Sequence, residues 1–234
     1  MKSVELSKTG GAEVLKIKDI TLDKPSPEEV TIEQKAIGLN YIDTYHRSGL
    51  YPIKLPSGLG LEGAGVITEV GENVKDFKVG DKISYAGIPL GSYSTHRNYP
   101  TKNLIKVPDS IDLEVAATLM TKGLTTFYLL HKTYPVKSGQ TILFHAAAGG
   151  VGQIFGQWAK SLGCTVIGTV GSDEKIDIAK KNGAHSAKLL GAGNGGHLLI
   201  FCEEIDKKRM LKKLEKLVCS VRDFSYQESG LNIS

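Results

Sequence analysis

The chain has 234 residues, 41% of them hydrophobic and 23% charged, which excludes a disordered or fibrous protein and is enough to fill one large or two modest domains. The formal net charge of +4 is spread along the chain except for a lysine cluster between Lys207 and Lys216, which reads as a solvated helix face and not as a nucleic-acid footprint. Three cysteines, Cys164, Cys202 and Cys219, lack CxxC spacing and exclude a disulfide framework. The N-terminus, MKSVELSKTGG, lacks the apolar core of a secretion signal, and no run reaches the roughly 18 apolar residues of a membrane span, so a soluble, cytoplasmic protein is expected.

From Met1 to about Asp109 the pattern is one of short alternating strands: VELSK, EVTIEQKAIG, GVITEV and DKISYAG. Gly10-Gly11, Pro25-Ser26-Pro27, Gly58 to Gly60, Gly71 and Gly80-Asp81 punctuate them as turns. From Ile111 the rhythm becomes helical, with Leu113, Ala116-Ala117, Met120, Leu124 and Phe127-Tyr128 near a helical period and an interruption expected at Gly123. A domain boundary therefore falls between Asp109 and Gly123. Beyond the turn VKSGQ, Thr141 to Phe144 reads as a buried strand, HAAAGGVG as a bare turn, and GQIFGQWAKSLG as a helix. That helix carries Val151, Ile154 or Phe155, Trp158 and Leu162 on one face, with Gly163 as its C-terminal cap. A second strand, Thr165 to Val170, completes a unit of about thirty residues, the length of a βαβ crossover.

A turn with almost no side chains lets backbone approach a pyrophosphate while the following helix directs its amides and dipole at the negative charge. Against the pattern GxGxxG, the segment AAGGVG puts Ala147, Gly149 and Gly152 at the three glycine positions. The motif alone reads equally as a close-packed Ala/Gly turn without a ligand; the strand, helix and strand around it favour a nucleotide site. At the end of the second strand, where an NAD site carries an acid, the chain has Val170-Gly171-Ser172, with Lys175 close behind. This favours a 2′-phosphate and hence NADPH. Asp173 could instead turn onto a ribose, and Lys175 also reads as a solvated lysine in the first turn of the next helix.

The segment GQTILFHAAAGGVGQIFGQWAK (Gly139 to Lys160) resembles the signature of the quinone oxidoreductase and zeta-crystallin branch of the medium-chain dehydrogenase/reductase superfamily. NYIDTYHRSGLYP, LPSGLGLEGAGVITEVGENVKDFKVGDKI and KGLTTFYLLHKTY are similar to that branch in order and spacing, over about Met1 to Ala184. The resemblance implies an α/β protein: a GroES-like catalytic β domain (residues 1–118), a Rossmann-type NADPH-binding domain represented by its first half (residues 119–190), and a divergent tail (residues 191–234). It implies an NADPH-dependent quinone reductase, with a small electron-poor acceptor as partner and a possible homodimer. Asn40, Tyr41, Ile42 and Tyr45 would border the nicotinamide and acceptor, with Asn40 and Tyr45 as the catalytic candidates. Thr125 would touch the cofactor, Gly149, Gly150, Val151 and Gly152 would face the pyrophosphate, and Gly171, Ser172 and Lys175 would surround the 2′-phosphate. Apart from the family, Asn40 reads as a hydrogen-bonding turn residue and Tyr45 as a core edge with its hydroxyl outward.

Zinc-dependent alcohol dehydrogenases share the superfamily, but their ligand positions carry no donor here: no cysteine stands near Asn40 to Tyr45, Leu61 replaces the histidine of GHE, and the third ligand falls near Lys122. A quinone delocalises incoming charge over its ring, which suits a cleft without a metal. An enal or enone acceptor is the alternative, and a noncatalytic NADPH-binding protein or inactive remnant is another.

After Ala184 the resemblance ends, with Leu189-Leu190 in place of the family's Asn-Tyr pair. Gly191 to Gly196 reads as a loop, HLLIFC as a strand, and Glu203 to Val218 as a basic amphipathic helix. An open α/β sheet binds its ligand between two halves, so either the tail builds a substitute for the missing half or the chain is a truncated or frame-shifted product with an exposed sheet edge and impaired folding.

Overall fold

The computed structural model describes residues 1–189, 224–227 and 230–233. In chain order, the first part contains β1 (Lys2–Leu6), β2 (Leu15–Asp19), β3 (Glu29–Gly38), helix α1 (Tyr41–Ser48), β4 (Ser57–Gly58), β5 (Glu62–Val70), β6 (Lys82–Ala86), β7 (His96–Pro100) and β8 (Leu104–Lys106). An antiparallel sheet of order β7-β3-β5-β6-β8 forms its body, and β2-β1-β4 forms a smaller one. The register sets Val30 opposite Val70 and Tyr99, and Ile32 opposite Ile67 and Arg97. With a period of two, Val30 and Ile32 therefore reach the same face, where Ile67, Ile83, Tyr85 and Tyr99 join them fully buried. Burial of each such side chain contributes roughly 1.5–3 kcal/mol.

Arg97 lies over both inner tyrosines, 4.6 Å from the Tyr99 ring and 5.2 Å from the Tyr85 ring. Burial pushes both phenols above their ordinary range, and it does the same for Tyr93, where the neighbouring Asp43 carboxylate adds to the effect. A phenol whose pKa is raised by folding contributes stability that is complete below its unfolded value, about 10, and is lost as pH rises through the folded value. Thermal stability is therefore expected to hold up to about pH 10 and to fall steeply above it. A melting series across that range would contradict this if it stayed level.

Helix α2 (Leu113–Tyr128) continues into a wider, π-type turn at Leu129–Thr133. The interruption expected at Gly123 does not occur. A glycine inside a helix costs about 1 kcal/mol, and here both ends are anchored. Ala116 and Ala117 pack on Ala64 of β5, while Leu130 is fully buried with Phe155, Ala159 and Val166. A boundary at 118/119 falls inside this shared helix.

The second part contains β9 (Thr141–Phe144), α3 (Gly150–Ser161), β10 (Thr165–Val170), α4 (Glu174–Lys181) and β11 (Ala184–Leu189), with the strands parallel in the order β11-β10-β9. This is the βαβ unit expected, extended by one further strand. Strand β11 pairs with β10 as far as Leu189, so the parallel sheet continues a few residues past Ala184, about where the resemblance ends. On α3 the inner residue is Phe155 and not Ile154. Its ring stacks on Phe144 at 3.9 Å, Trp158 packs at the cluster's border, and Gly163 ends the helix at φ 80°. The protein is an α/β fold with a GroES-like β domain and a Rossmann-type domain.

Separately, β12 (Phe224–Gln227) and β13 (Gly230–Ile233) form an antiparallel hairpin that the sequence reading did not anticipate. The readings of 191–196, 197–202 and 203–218, with Cys202, Cys219 and the Lys207 to Lys216 cluster, lie outside the described residues. Among the described residues no helix is long and apolar enough to cross a membrane.

Candidate active site

The bare turn starts where β9 ends. The tight bend is taken by Ala146, at φ 56°, and not by Ala147, which the glycine pattern had placed there. A left-handed alanine costs roughly 1–2 kcal/mol, so something must hold it. Thr169 of β10 does so with two oxygens. Its Oγ1 accepts the Ala146 N–H at 3.2 Å and its carbonyl accepts the Ala147 N–H at 2.9 Å. The same hydroxyl meets His145 Nδ1 at 2.6 Å. Ala146 in turn accepts the Gly149 N–H at 2.9 Å. Nothing in the sequence marks Thr169, which looks like any β-branched strand residue.

Gly149 is the N-cap of α3 and offers no side-chain cap, and the first backbone bond of the helix is made by Gln153 to Gly149. The N–H groups of Gly150, Val151 and Gly152 have no backbone acceptor among the described residues, the normal condition of a first helical turn. Gly152 is buried against the turn: a Cβ there would lie 2.5 Å from Ala146 O and 2.6 Å from Ala147 O. At the end of β10, Gly171 faces open space, and Ser172 accepts the Lys175 N–H at 3.1 Å to start α4, leaving Lys175 exposed. Asp173 stands at the N-cap position of α4 without a side-chain capping bond and is exposed. Both glycine-bearing loops leave the C-terminal ends of parallel strands, the edge at which such sheets bind ligands.

The GroES-like part contributes the start of α1. Asp43 lies in its first turn and accepts the Asn40 backbone N–H at 2.9 Å, as the acid of a capping box does, and Tyr93 donates to the same oxygen at 2.8 Å. Asn40, buried, turns its side chain elsewhere. Its Nδ2 donates to Glu62 Oε2 at 2.6 Å, and its Oδ1 accepts from Lys122 Nζ at 3.2 Å. A carboxylate only accepts and an ammonium only donates, so the amide has one possible orientation. The second Glu62 oxygen accepts the Thr121 N–H at 2.7 Å. Glu62 is 0% exposed, and nothing in the local sequence marks it as a site residue. Lys122 was noted there only as a position without a zinc donor; in the fold it reaches from α2 to Asn40 and to Leu39 O (3.3 Å). Its stem passes over Gly150, where a Cβ would lie 2.8 Å from the lysine Cε.

Asn40, Lys122 and the α3 N-terminus thus come together. Tyr45 sits on α1, with ring centroids 5.3 Å from Tyr41 and 5.2 Å from Tyr51, and its hydroxyl has no partner among the described residues. Tyr41 is exposed and Ile42 partly buried. Thr125 donates its hydroxyl proton to Thr121 O at 2.7 Å, within its own helix.

Comparison with known proteins matches residues 26–109 to the alcohol dehydrogenase GroES-like domain and residues 150–188 to the zinc-binding dehydrogenase family. A quinone oxidoreductase of Pseudomonas aeruginosa is 54% identical over 184 residues, 78% of this chain and 57% of that protein. Over the part they share, the chain is similar to the quinone oxidoreductase branch of the medium-chain dehydrogenase/reductase superfamily. Within that branch, the structure of Escherichia coli quinone oxidoreductase complexed with NADPH aligns with a TM-score of 0.78 and 45% identity, covering 92% of this chain and 63% of that one. A 2-haloacrylate reductase of Burkholderia is 45% identical over 186 residues, 77% of this chain and 56% of that protein. The chain therefore spans somewhat over half the length of these curated relatives.

Proposed function

We propose that the protein is an NADPH-dependent quinone reductase, with residues 1–118 forming the catalytic domain and residues 119–190 the cofactor domain. The observation that carries this reading is the turn of residues 145–149. Past His145 it carries no side chain larger than a methyl group, it is clamped by Thr169, and it is followed by three N–H donors at the head of a helix beside Asn40 and Lys122. These features fit a dinucleotide: the donors suit a pyrophosphate, and the open space at Gly171 with the exposed Lys175 suits a 2′-phosphate. NADPH supplies a hydride when bound. The chain's own part is to position and to exclude water. Gly149 to Gly152 hold the phosphates, Thr125, Tyr41 and Ile42 border the nicotinamide, Tyr45 faces the acceptor, and Asn40, with both ends of its amide engaged, orients the groups around it. Orientation at near-attack distance removes roughly 7–11 kcal/mol from a barrier at best.

The test is NADPH titration by nicotinamide fluorescence, with NADH alongside, followed by turnover on a quinone panel. Selective NADPH binding and quinone reduction are expected. Binding without turnover would favour a noncatalytic NADPH-binding role, and no binding would overturn the reading. Lys175→Gln is expected to weaken NADPH about tenfold while leaving NADH unchanged, the loss of one charge-assisted phosphate contact. Equal effects on both cofactors would remove Lys175 from the 2′-phosphate site. The 2-haloacrylate reductase relative favours a second acceptor class, a polarised carbon–carbon double bond, which belongs on the same panel. A cytoplasmic location, inferred from cysteine usage, and a homodimer complete the proposal.

A further inference from the structure

We propose that Lys122 holds the oxygen of the acceptor and stabilises the negative charge it gains on reduction; this rests on the reductase reading above. Three observations converge. The ammonium stands where the two parts of the site meet, bonded to Asn40 Oδ1 at 3.2 Å and Leu39 O at 3.3 Å, with its stem across Gly150. Two acceptors account for two of its three N–H groups, and among the described residues the third has no acceptor. Its charge is also left without a direct counterion: Lys122 makes no ion pair among the described residues, and Glu62 is held one amide away behind Asn40. A partly buried cation fixed by two neutral oxygens is a site that an anion improves.

The electron count makes the acceptor that anion. Hydride brings a proton and two electrons to a quinone or enone, leaving one negative charge on oxygen, and a solvent proton then neutralises it. A hydrogen bond from Nζ to that oxygen is stronger after transfer than before, which is the condition for accelerating the step. Asn40 and Glu62 are positioning residues in this scheme. They aim the ammonium by fixing the amide that holds it.

The probe is 4-nitrophenol, whose phenolate imitates the charged oxygen and is yellow where the neutral phenol is colourless. Binding is followed on the protein saturated with NADP+, across a pH series, in wild type, Lys122→Met and Lys122→Arg. In wild type the bound probe is expected to be phenolate at pH values where the free probe is largely phenol. On protein saturated with NADP+, Lys122→Met should bind phenolate about tenfold more weakly and Lys122→Arg should keep most of the affinity. Equal phenolate affinity in wild type and Lys122→Met would overturn the role, as would a wild type that binds NADPH but takes the probe only as neutral phenol or not at all. The wild-type colour keeps the test decisive even if Lys122→Met does not fold. A wild type that binds no NADPH would instead overturn the reductase reading, and this inference with it.

Discussion

Gly152→Ala is expected to lower NADPH affinity by about ten- to a hundredfold and to reduce thermal stability together with it. The methyl group would enter a space bounded by backbone: 2.5 Å from Ala146 O and 2.6 Å from Ala147 C and O. None of these atoms can turn aside as a side chain end can. The Ala146 carbonyl is already engaged by the Gly149 N–H, and Ala146 and Ala147 are both held to Thr169. Helix α3 must therefore withdraw from the turn. Overpacking of this kind costs typically 1–3 kcal/mol, and the withdrawal also moves the N–H groups of Gly150 and Val151 away from where a pyrophosphate would meet them. Nicotinamide fluorescence titration and a melting curve on one preparation would check both effects. Unchanged affinity would mean that the turn tolerates the extra methyl and that α3 does not have to approach so closely.

Glu62→Gln is expected to lower the melting temperature by about 5–10 °C, corresponding to roughly 2–3 kcal/mol, although the two side chains have nearly the same shape. The carboxylate accepts two hydrogen bonds, from Thr121 N and from Asn40 Nδ2, in a fully buried position. A glutamine amide has one oxygen to offer, so its NH2 must face either the Thr121 N–H or the Asn40 NH2. Reversing Asn40 relieves the second conflict but presents its NH2 to the Lys122 ammonium, again donor against donor. No arrangement of the two amides satisfies all four groups, and a buried polar group without a partner costs about 1–3 kcal/mol. Thermal unfolding of Glu62→Gln beside wild type measures this directly. An unchanged midpoint would show that Glu62 does not organise the junction of β5, α1 and α2.

The strands and helices of the second part could be read from the chain because their signals are local. The strand Thr141 to Phe144, the bare turn, the helical period up to Gly163 and the strand Thr165 to Val170 all appear where periodicity put them, but the first strand, read as buried, is exposed or only partly buried along its length because it lies at the edge of the order β11-β10-β9. In the first part EVTIEQKAIG coincides with β3, whereas helix α1 was seen only as a segment and the pairing order β7-β3-β5-β6-β8 has no local signature. Gly123 shows the limit of propensity. A cost of about 1 kcal/mol is outweighed when one helix is anchored in two cores. Likewise Ala147 matched the glycine pattern, but the left-handed bend went to Ala146, because Thr169 reaches that residue from the neighbouring strand.

What the sequence by itself determined was the βαβ unit, the bare turn as its opening, the resemblance to a family, and the residue types at Asn40, Tyr45 and Lys175 from which cofactor and acceptor were inferred. What only the tertiary structure decided was which of these side chains have a free hand. Asn40 and Glu62 lie 22 positions apart, Asn40 and Lys122 lie 82 apart, and Ala146 and Thr169 lie 23 apart. Each pair meets through sheet register or helix packing. A buried carboxylate or a lone lysine carries no mark of its partner in the chain, because hydrogen bonds are set by distance in space and the sequence records only distance along the backbone.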